Sequence, residues 1–236
     1  MAKINHKDLL EYFIHEVTQI NSVIKASSEL LSKRSTELND KKTIAYHANL
    51  VHENSAILNY LVDVVNYKLN PAFFLNQDKD LRNVHGKYSK IIQSFERRKK
   101  DKRIKIILCC DVKSLVNLYP IFETIPYITL DNAIKYSPKD SEILVEIGDY
   151  SSFIRITVQN NGPYITDFEK EHIFDYGFRG EEAKKMSSIG QGFGLNFLKE
   201  IIEIHNGSVK IESSEVICVV NDIAISEFKL IMELPK

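Results

Sequence analysis

Four stretches of this chain combine residue types that can hold a phosphate or a metal-bound phosphate. The first is Gly190-Gln191-Gly192-Phe193-Gly194-Leu195, three glycines at alternate positions. Of the nine glycines in the chain, seven fall between Gly162 and Gly207, so the backbone there must turn sharply or approach something closely. Leu195, Phe197, Leu198, Ile201, Ile202 and Ile204 follow at helical spacing. A glycine loop that opens a helix offers unpaired N–H groups and the positive end of the helix dipole, which suits a phosphate. The same pattern also serves as a plain helix entry. The second stretch, Asp131-Asn132-Ala133-Ile134-Lys135-Tyr136-Ser137-Pro138, supplies a neutral oxygen ligand in Asn132, a cation in Lys135 and an aromatic face in Tyr136. The third, Asn160-Asn161-Gly162-Pro163-Tyr164-Ile165, follows a strand pattern and turns tightly. The fourth, Ile173 to Gly180, places Arg179 after the aromatics Phe174 and Phe178.

The elements that must position these groups are legible in the apolar spacing. Leu10, Phe13, Val17, Ile20, Ile24, Ser27 and Leu31 alternate in steps of three and four, a heptad seam. After a polar break at 35–42, a second seam reads Ile44, Ala48, Val51, Ser55, Leu58, Val62, Val65 and Leu69, widened by Leu50, Ile57, Leu61 and Val64. This predicts an antiparallel helical hairpin, which needs a second copy to cover its remaining apolar surface in a four-helix bundle. Pro71 ends the second helix, and Pro71 to Leu75 reads as a short strand. An amphipathic helix is expected over Val84 to Phe95, with the basic run Glu96 to Arg103 as a solvated helix end. Ile104 to Cys109 reads as a strand, Leu115 to Tyr136 as a helix broken near Pro120 and Pro126, and Glu142 to Ile147 with Phe153 to Val158 as a hairpin. Ile165 to Gly190 is a mobile loop with one short helix, followed by the glycine-opened helix and a His205-Asn206-Gly207 cap. Strands over Ser208 to Glu212 and Ile225 to Leu234 complete an α+β chain: a hairpin domain at 1–70 and an α/β sandwich at 71–236.

Composition narrows the function classes. The net charge of −1 gives no global pull towards nucleic acid. Three cysteines, two of them adjacent (Cys109 and Cys110), make neither a disulfide framework nor a metal pattern and read as reduced thiols of a cytoplasmic protein. No stretch approaches the roughly 18 apolar residues of a membrane span, and the charged N-terminus does not read as a signal peptide.

In order and spacing the four stretches resemble the ATP-binding domain of sensor histidine kinases, within the larger fold shared by gyrase, Hsp90 and MutL, from about residue 70 to the end. The resemblance implies ATP with Mg²⁺. Asn132 stands where the family holds the metal, Lys135 where it contacts phosphate, and Tyr136 beside adenine. Asn160 replaces the usual Asp that accepts from the adenine amino group, an uncharged and weaker acceptor. Gly162 matches the glycine that admits the base, with Ile165 close behind it, whereas Tyr164 replaces a usual glycine. Phe178 and Arg179 match the lid, with Arg179 reaching the γ-phosphate. Gly190, Gly192, Phe193, Gly194 and Leu195 match the phosphate loop, with Gly192 and Gly194 facing phosphate. Ile128 stands where the family commonly has an Asn, four residues before Asn132.

The hairpin carries a second match. Phe13-Ile14-His15-Glu16-Val17-Thr18-Gln19-Ile20 resembles the phosphoacceptor motif. His15 is then the acceptor, Glu16 the group that takes its proton or orients the ring, and Gln19 a water-positioning residue for dephosphorylation. Ile20 replaces the motif's usual proline. His47 and His52 lack the motif's context and read as surface or packing residues, while His205 reads as a helix cap and His172 as a lid residue. The resemblance implies a homodimeric histidine protein kinase that phosphorylates His15 and passes the group to a response-regulator receiver domain, with a separate sensor protein as a further partner. Two alternatives remain open at this stage: a relay or scaffold that no longer hydrolyses ATP, and a serine kinase of the anti-sigma type, against which the hairpin speaks.

Overall fold

A computed structural model describes residues 6–34, 41–110, 115–188 and 190–236. The chain divides into two compact units, residues 1–73 with 93–97, and residues 74–92 with 98–236.

The first unit is built on two 29-residue helices, α1 (His6–Arg34) and α2 (Lys41–Leu69). In α1 the heptad seam is the covered stripe: Phe13, Val17, Ile24 and Leu31 are half-buried, and Ile20 and Ser27 are buried. In α2 the covered stripe runs through Glu53, Leu61, Val64 and Tyr67. Leu61 and Val64 belong to the widening set of the sequence pattern, Glu53 and Tyr67 to neither set, and Ile44, Val62 and Leu69 of the main seam stay exposed. The buried carboxylate of Glu53 is held by Arg97, whose Nε donates to Oε2 at 2.9 Å. The connection predicted at 35–42 falls, up to residue 40, outside the described residues.

Pro71 to Leu75 is a helix, α3, and not the strand expected. Asn70 accepts from the Phe73 N–H (3.2 Å), and a proline early in a helix has no donor to waste. The short strand β1 (Asp80–Asn83) leads into α4 (Val84–Ser94), and the basic run forms its own helix, α5 (Glu96–Lys102). After β2 (Lys105–Cys110), the segment expected to be helical is first a strand, β3 (Leu115–Leu118), which pairs antiparallel with β1. Alternate burial of Val116 and Leu118 under the helices, with Leu115 outside, is a strand pattern that the prolines downstream obscured. A 3₁₀ turn at Pro120–Glu123 then enters α6 (Thr124–Tyr136), with Pro126 accommodated in its first turn.

The main sheet has the order β2-β4-β5-β7-β6, adding β4 (Glu142–Asp149), β5 (Phe153–Pro163), β6 (Ser208–Val220) and β7 (Ile223–Pro235). Only β2–β4 is parallel. One face is apolar: Ile143, Val145 and Ile147, then Ile154, Ile156 and Val158, then Leu230, Met232 and Leu234 alternate inward. Against it lie α6 and α9 (Gly194–Ile204), whose Phe197, Leu198, Ile201 and Ile202 are buried. The opposite face carries ionic pairs such as Arg155–Glu233 (2.6 Å), as expected where a sheet is covered on one side only. The chain is therefore α+β, a helical hairpin followed by a two-layer sandwich.

Both final strands are longer than the sequence suggested. They close on a two-residue turn, Asn221-Asp222, with both residues at positive φ (50° and 60°), as a type I′ hairpin requires. The β6–β7 register slips twice, between Ser213 and Val216 and between Val216 and Cys218. Between β5 and α9 the structure holds two short helices where one was expected, α7 (Asp167–His172) and α8 (Glu181–Met186). At the end of α9 the left-handed residue is Asn206 (φ 58°), not the glycine expected, and Gly207 is required because a Cβ there would meet the Glu233 carbonyl.

Candidate nucleotide-binding site

Helix α6 places Ile128, Asn132, Lys135 and Tyr136 at spacings of four, three and one, so the first three share a face. Ile128 is buried, whereas the Asn132 amide makes no hydrogen bond among the described residues. Asp131, its neighbour, is committed elsewhere: its Oδ1 accepts from Arg98 Nη1 at 2.5 Å.

Three close approaches gather the predicted residues around this face. A Cβ added to Gly194 would lie 3.5 Å from Ile128 Cγ2 and 3.8 Å from Asn132 Nδ2. One added to Gly190 (φ 107°) would overlap the Lys135 ammonium. One added to Gly162 would lie 3.1 Å from Asn160 Nδ2 and 3.4 Å from the Tyr136 carbonyl oxygen. The C-terminal half of α6, the end of β5 and the glycine loop thus converge, and bring Asn132, Lys135, Tyr136, Asn160, Gly162, Gly190 and Gly194 into one neighbourhood. Lys135 Nζ also stands 5.0 Å from the centre of the Tyr136 ring. Asn160 is 4% exposed and its amide donates to the Asn161 carbonyl at 3.0 Å, which leaves its own carbonyl as the acceptor the adenine role requires.

Arg179 and Gly192 join the segment expected as the lid to the glycine loop. Arg179 donates from Nη1 to the Gly190 carbonyl at 3.0 Å and from Nη2 to the carbonyls of Ala183 (3.3 Å) and Ser187. It closes the C-terminal end of α8 and ties it to the glycine loop, a use that answers the unpaired carbonyls of a short helix. In this structure the guanidinium is held by peptide oxygens of α8 and of the glycine loop. Gly192 (φ 75°) likewise faces the lid: a Cβ there would overlap the backbone of Gly177 and Phe178, whose segment is joined by Gly177 N–H to the Gly192 carbonyl at 3.2 Å. Phe193 stacks on Tyr176 at 4.5 Å, and the Phe178 ring tilts against His172. Phe178 and Arg179 line a cavity of about 440 Å³ with Tyr164, Phe168, Glu169 and Ala224, while Ile165 and Leu195 are half-buried outside it.

Glu169, which the sequence reading passed over, is the centre of the lid. It is 7% exposed, and its carboxylate accepts from the Thr166 N–H (2.9 Å), the Thr166 hydroxyl (3.1 Å) and the Glu181 N–H (2.7 Å). One side chain therefore caps α7 through a capping box and α8 from outside it. The Thr-x-x-Glu spacing at Thr166 to Glu169 was the signal available.

His205 is the C-cap of α9, as expected, and also a buried strut. Nε2 accepts from the Tyr119 N–H at 2.9 Å, and Nδ1 lies 2.7 Å from the Ile201 carbonyl, so the ring is neutral with its proton on Nδ1. Burial pushes its pKa down to about 4, only partly opposed by the hydrogen bond to Ile201, and the nearby cations Lys79 and Arg82 push it the same way. In the first unit, His15 and Glu16 fall within α1, but their side chains lie outside the described residues; Gln19 is exposed on the same helix.

Among the described residues no three His, Cys, Asp or Glu side chains converge. A Mg²⁺ at Asn132 would take its remaining ligands from phosphates and water, the arrangement this ion favours beside a nucleotide. The donor set fits such an ion.

Comparison with known proteins agrees with this geometry. Residues 124–227 match the family model for histidine kinase-, DNA gyrase B-, and HSP90-like ATPases. The signal transduction histidine-protein kinase ArlS of Staphylococcus aureus is 26% identical over 197 residues, 84% of this chain and 36% of ArlS. The probable sensor kinase SilS of Salmonella typhimurium is 33% identical over 84 residues, 36% of this chain and 17% of SilS. The chain therefore spans about a third or less of the curated relatives it matches. Histidine kinase ThkA in complex with the response regulator protein TrrA has the same fold, with a TM-score of 0.53 at 18% identity over 96% of this chain and 61% of that one. No helix among the described residues is long and apolar enough to cross a membrane. Residues 124–227 thus resemble the ATPase domains of histidine kinases, DNA gyrase B and HSP90, and the chain shares its fold with the solved histidine kinase.

Proposed function

We propose that this chain is a cytoplasmic histidine protein kinase that transfers the γ-phosphoryl group of Mg·ATP to His15 and then passes it to an aspartate of a response-regulator receiver domain. The observation that carries the reading is the convergence of Asn132, Lys135 and Tyr136 on α6 with Asn160 and Gly162 on β5 and with the glycine loop. Asn132 holds the ion, Lys135 and the loop N–H groups neutralise phosphate, and Asn160 with Gly162 admits the base. Arg179 joins the phosphate only by leaving its carbonyl partners. Homodimerisation through the hairpin is supported by the apolar residues left exposed on it, among them Ile14, Val23, Leu30, Ile44 and Val62. A separate sensor protein is a further partner of this reading.

A second reading, a relay that keeps the architecture but not ATP turnover, draws on buried Ile128 beside Asn132, where an apolar side chain leaves metal and phosphate with one polar group fewer. One experiment separates them. Incubated with γ-labelled ATP, the wild type is expected to acquire acid-labile label and His15→Gln to acquire none while still binding nucleotide. Label that persists in His15→Gln sinks the acceptor assignment; an unlabelled wild type that binds no nucleotide favours the relay.

A further inference from the structure

We propose that Lys102, from the basic run between α4 and β2, is a positioning residue for the nucleotide site, acting by holding the C-terminal end of α6. Its ammonium donates to three carbonyl oxygens at once: Ile134 at 2.8 Å, Lys135 at 2.8 Å and Ser137 at 3.0 Å. All three donors of the group are thus used, on two carbonyls of the last turn of the helix that presents Lys135 and Tyr136 and on that of its C-cap residue, Ser137. Carbonyls at a helix C-terminus have no partner within the helix and carry the negative end of its dipole. A cation there closes the turn, and a tetrahedral ammonium suits three convergent oxygens better than a planar guanidinium does.

The surroundings make the contact a fixed one. The Asp140 N–H donates back to the Lys102 carbonyl at 3.0 Å, and Lys105 N–H to the Ser141 carbonyl at 3.1 Å, so the segment after α6 is laced to the segment after α5. Arg103, at φ 53°, pairs with Asp140 over the same junction. Arg98, one turn earlier on α5, grips α6 at Asp131. Burial, and to a lesser degree Arg98 and Lys139, pulls the Lys102 pKa below the usual lysine range, as expected of an ammonium taken partly out of water. Of the chain's basic run, the residues facing α6 are therefore not a solvated helix end. They fix the axial position of Lys135, which abuts Gly190, and of the Tyr136 carbonyl, which abuts Gly162.

The role in nucleotide binding rests on the function proposed above, whereas the clamp on α6 does not, and the test has an arm for each. Hydrogen exchange without nucleotide is expected to quicken at the amides of residues 134–137 in Lys102→Met and to stay unchanged in Lys100→Met. In calorimetric titration with Mg·ATP, Lys102→Met is expected to raise Kd about tenfold, equivalent to about 1.4 kcal/mol. In a Lys135→Met background the same change should be less than about threefold, because the group being positioned is gone. Lys102→Arg keeps the charge but not the three-way geometry, and should fall between wild type and Lys102→Met in both arms. Unchanged exchange at 134–137 in Lys102→Met overturns the clamp. An undiminished affinity loss in the Lys135→Met background overturns its action through Lys135. If Lys102→Met fails to fold, Lys102→Arg must still exchange faster than wild type at 134–137, and identity with wild type overturns the proposal. A wild type that binds no ATP would instead defeat the functional reading and leave the exchange result standing.

Discussion

At the scale of the residue, glycines with similar spacing turn out to be glycines for different reasons. Gly190 is a glycine for its φ of 107°, with the Lys135 ammonium beside it; Gly194 has room for a Cβ beside Ile128 and Asn132; Gly192 must be small because the Gly177–Phe178 backbone lies where its side chain would be. Gly192 also sits at φ 75°, where a Cβ is strained on its own account. Gly192→Ala is therefore expected to dislodge the lid rather than to obstruct phosphate directly. Its strain is of the order of 1–3 kcal/mol. Limited proteolysis should show faster cleavage between residues 173 and 188 even without nucleotide. Equal cleavage of variant and wild type would show that the lid yields to the added methyl group without loss.

At the scale of the element, the lid is two short helices that neither length nor propensity would sustain alone. One carboxylate caps the start of both, while Arg179 closes the end of α8. Glu169→Ala removes the acceptor from Thr166 and from the Glu181 N–H together, and a lost cap alone is worth about 1 kcal/mol. The expected result is faster amide exchange in both α7 and α8, with α9 unaffected. Protection lost in α7 alone would mean that α8 has another anchor. This element also marks the limit of what the sequence disclosed. Long periodic segments were legible: the hairpin helices, α4, the β4–β5 hairpin and α9 are all visible as spacing. So were the residue types that converge at the end of α6, the end of β5 and the glycine loop. Short elements set by tertiary contacts were not. Asp80–Asn83 has no strand pattern of its own and becomes β1 only because β3 lies beside it. Leu115–Leu118 was masked by the prolines after it, and Pro71–Leu75 depends on a cap from Asn70. Within the site, residue identities were legible but the directions of their side chains were not. Nothing in a run of Arg and Lys tells which one will reach three carbonyls, and nothing in a lid arginine tells that peptide oxygens will hold it.

For the whole molecule, the sandwich depends on buried polar struts as well as on its apolar layer. Tyr88 hydrogen-bonds Thr129 inside it at 3.2 Å, and His205 joins the end of α9 to the Tyr119 backbone at the 3₁₀ turn. His205 sets a pH dependence whose sign is fixed. Its native pKa, about 4, lies below the ordinary 6.5, so the unfolded chain takes up the proton first. The stability it confers is complete above about pH 6.5 and is lost progressively down to about pH 4, a total of about 3 kcal/mol at one pKa unit per 1.36 kcal/mol. His205→Gln, which can still accept from Tyr119 but does not titrate, is expected to flatten the fall in Tm across that window. An unchanged slope would assign the acid sensitivity to other groups.

The slipped register of β6 bears on the molecule's life in a crowded solution. The outer strand of the sheet ends in Val216, Ile217, Cys218, Val219 and Val220, an uncharged run of which Ile217 and Val219 are 58% and 65% exposed. A straight strand of that composition would be a template on which other chains could stack without limit. Two breaks of register inside a few residues interrupt the regular hydrogen-bonding edge that such stacking needs.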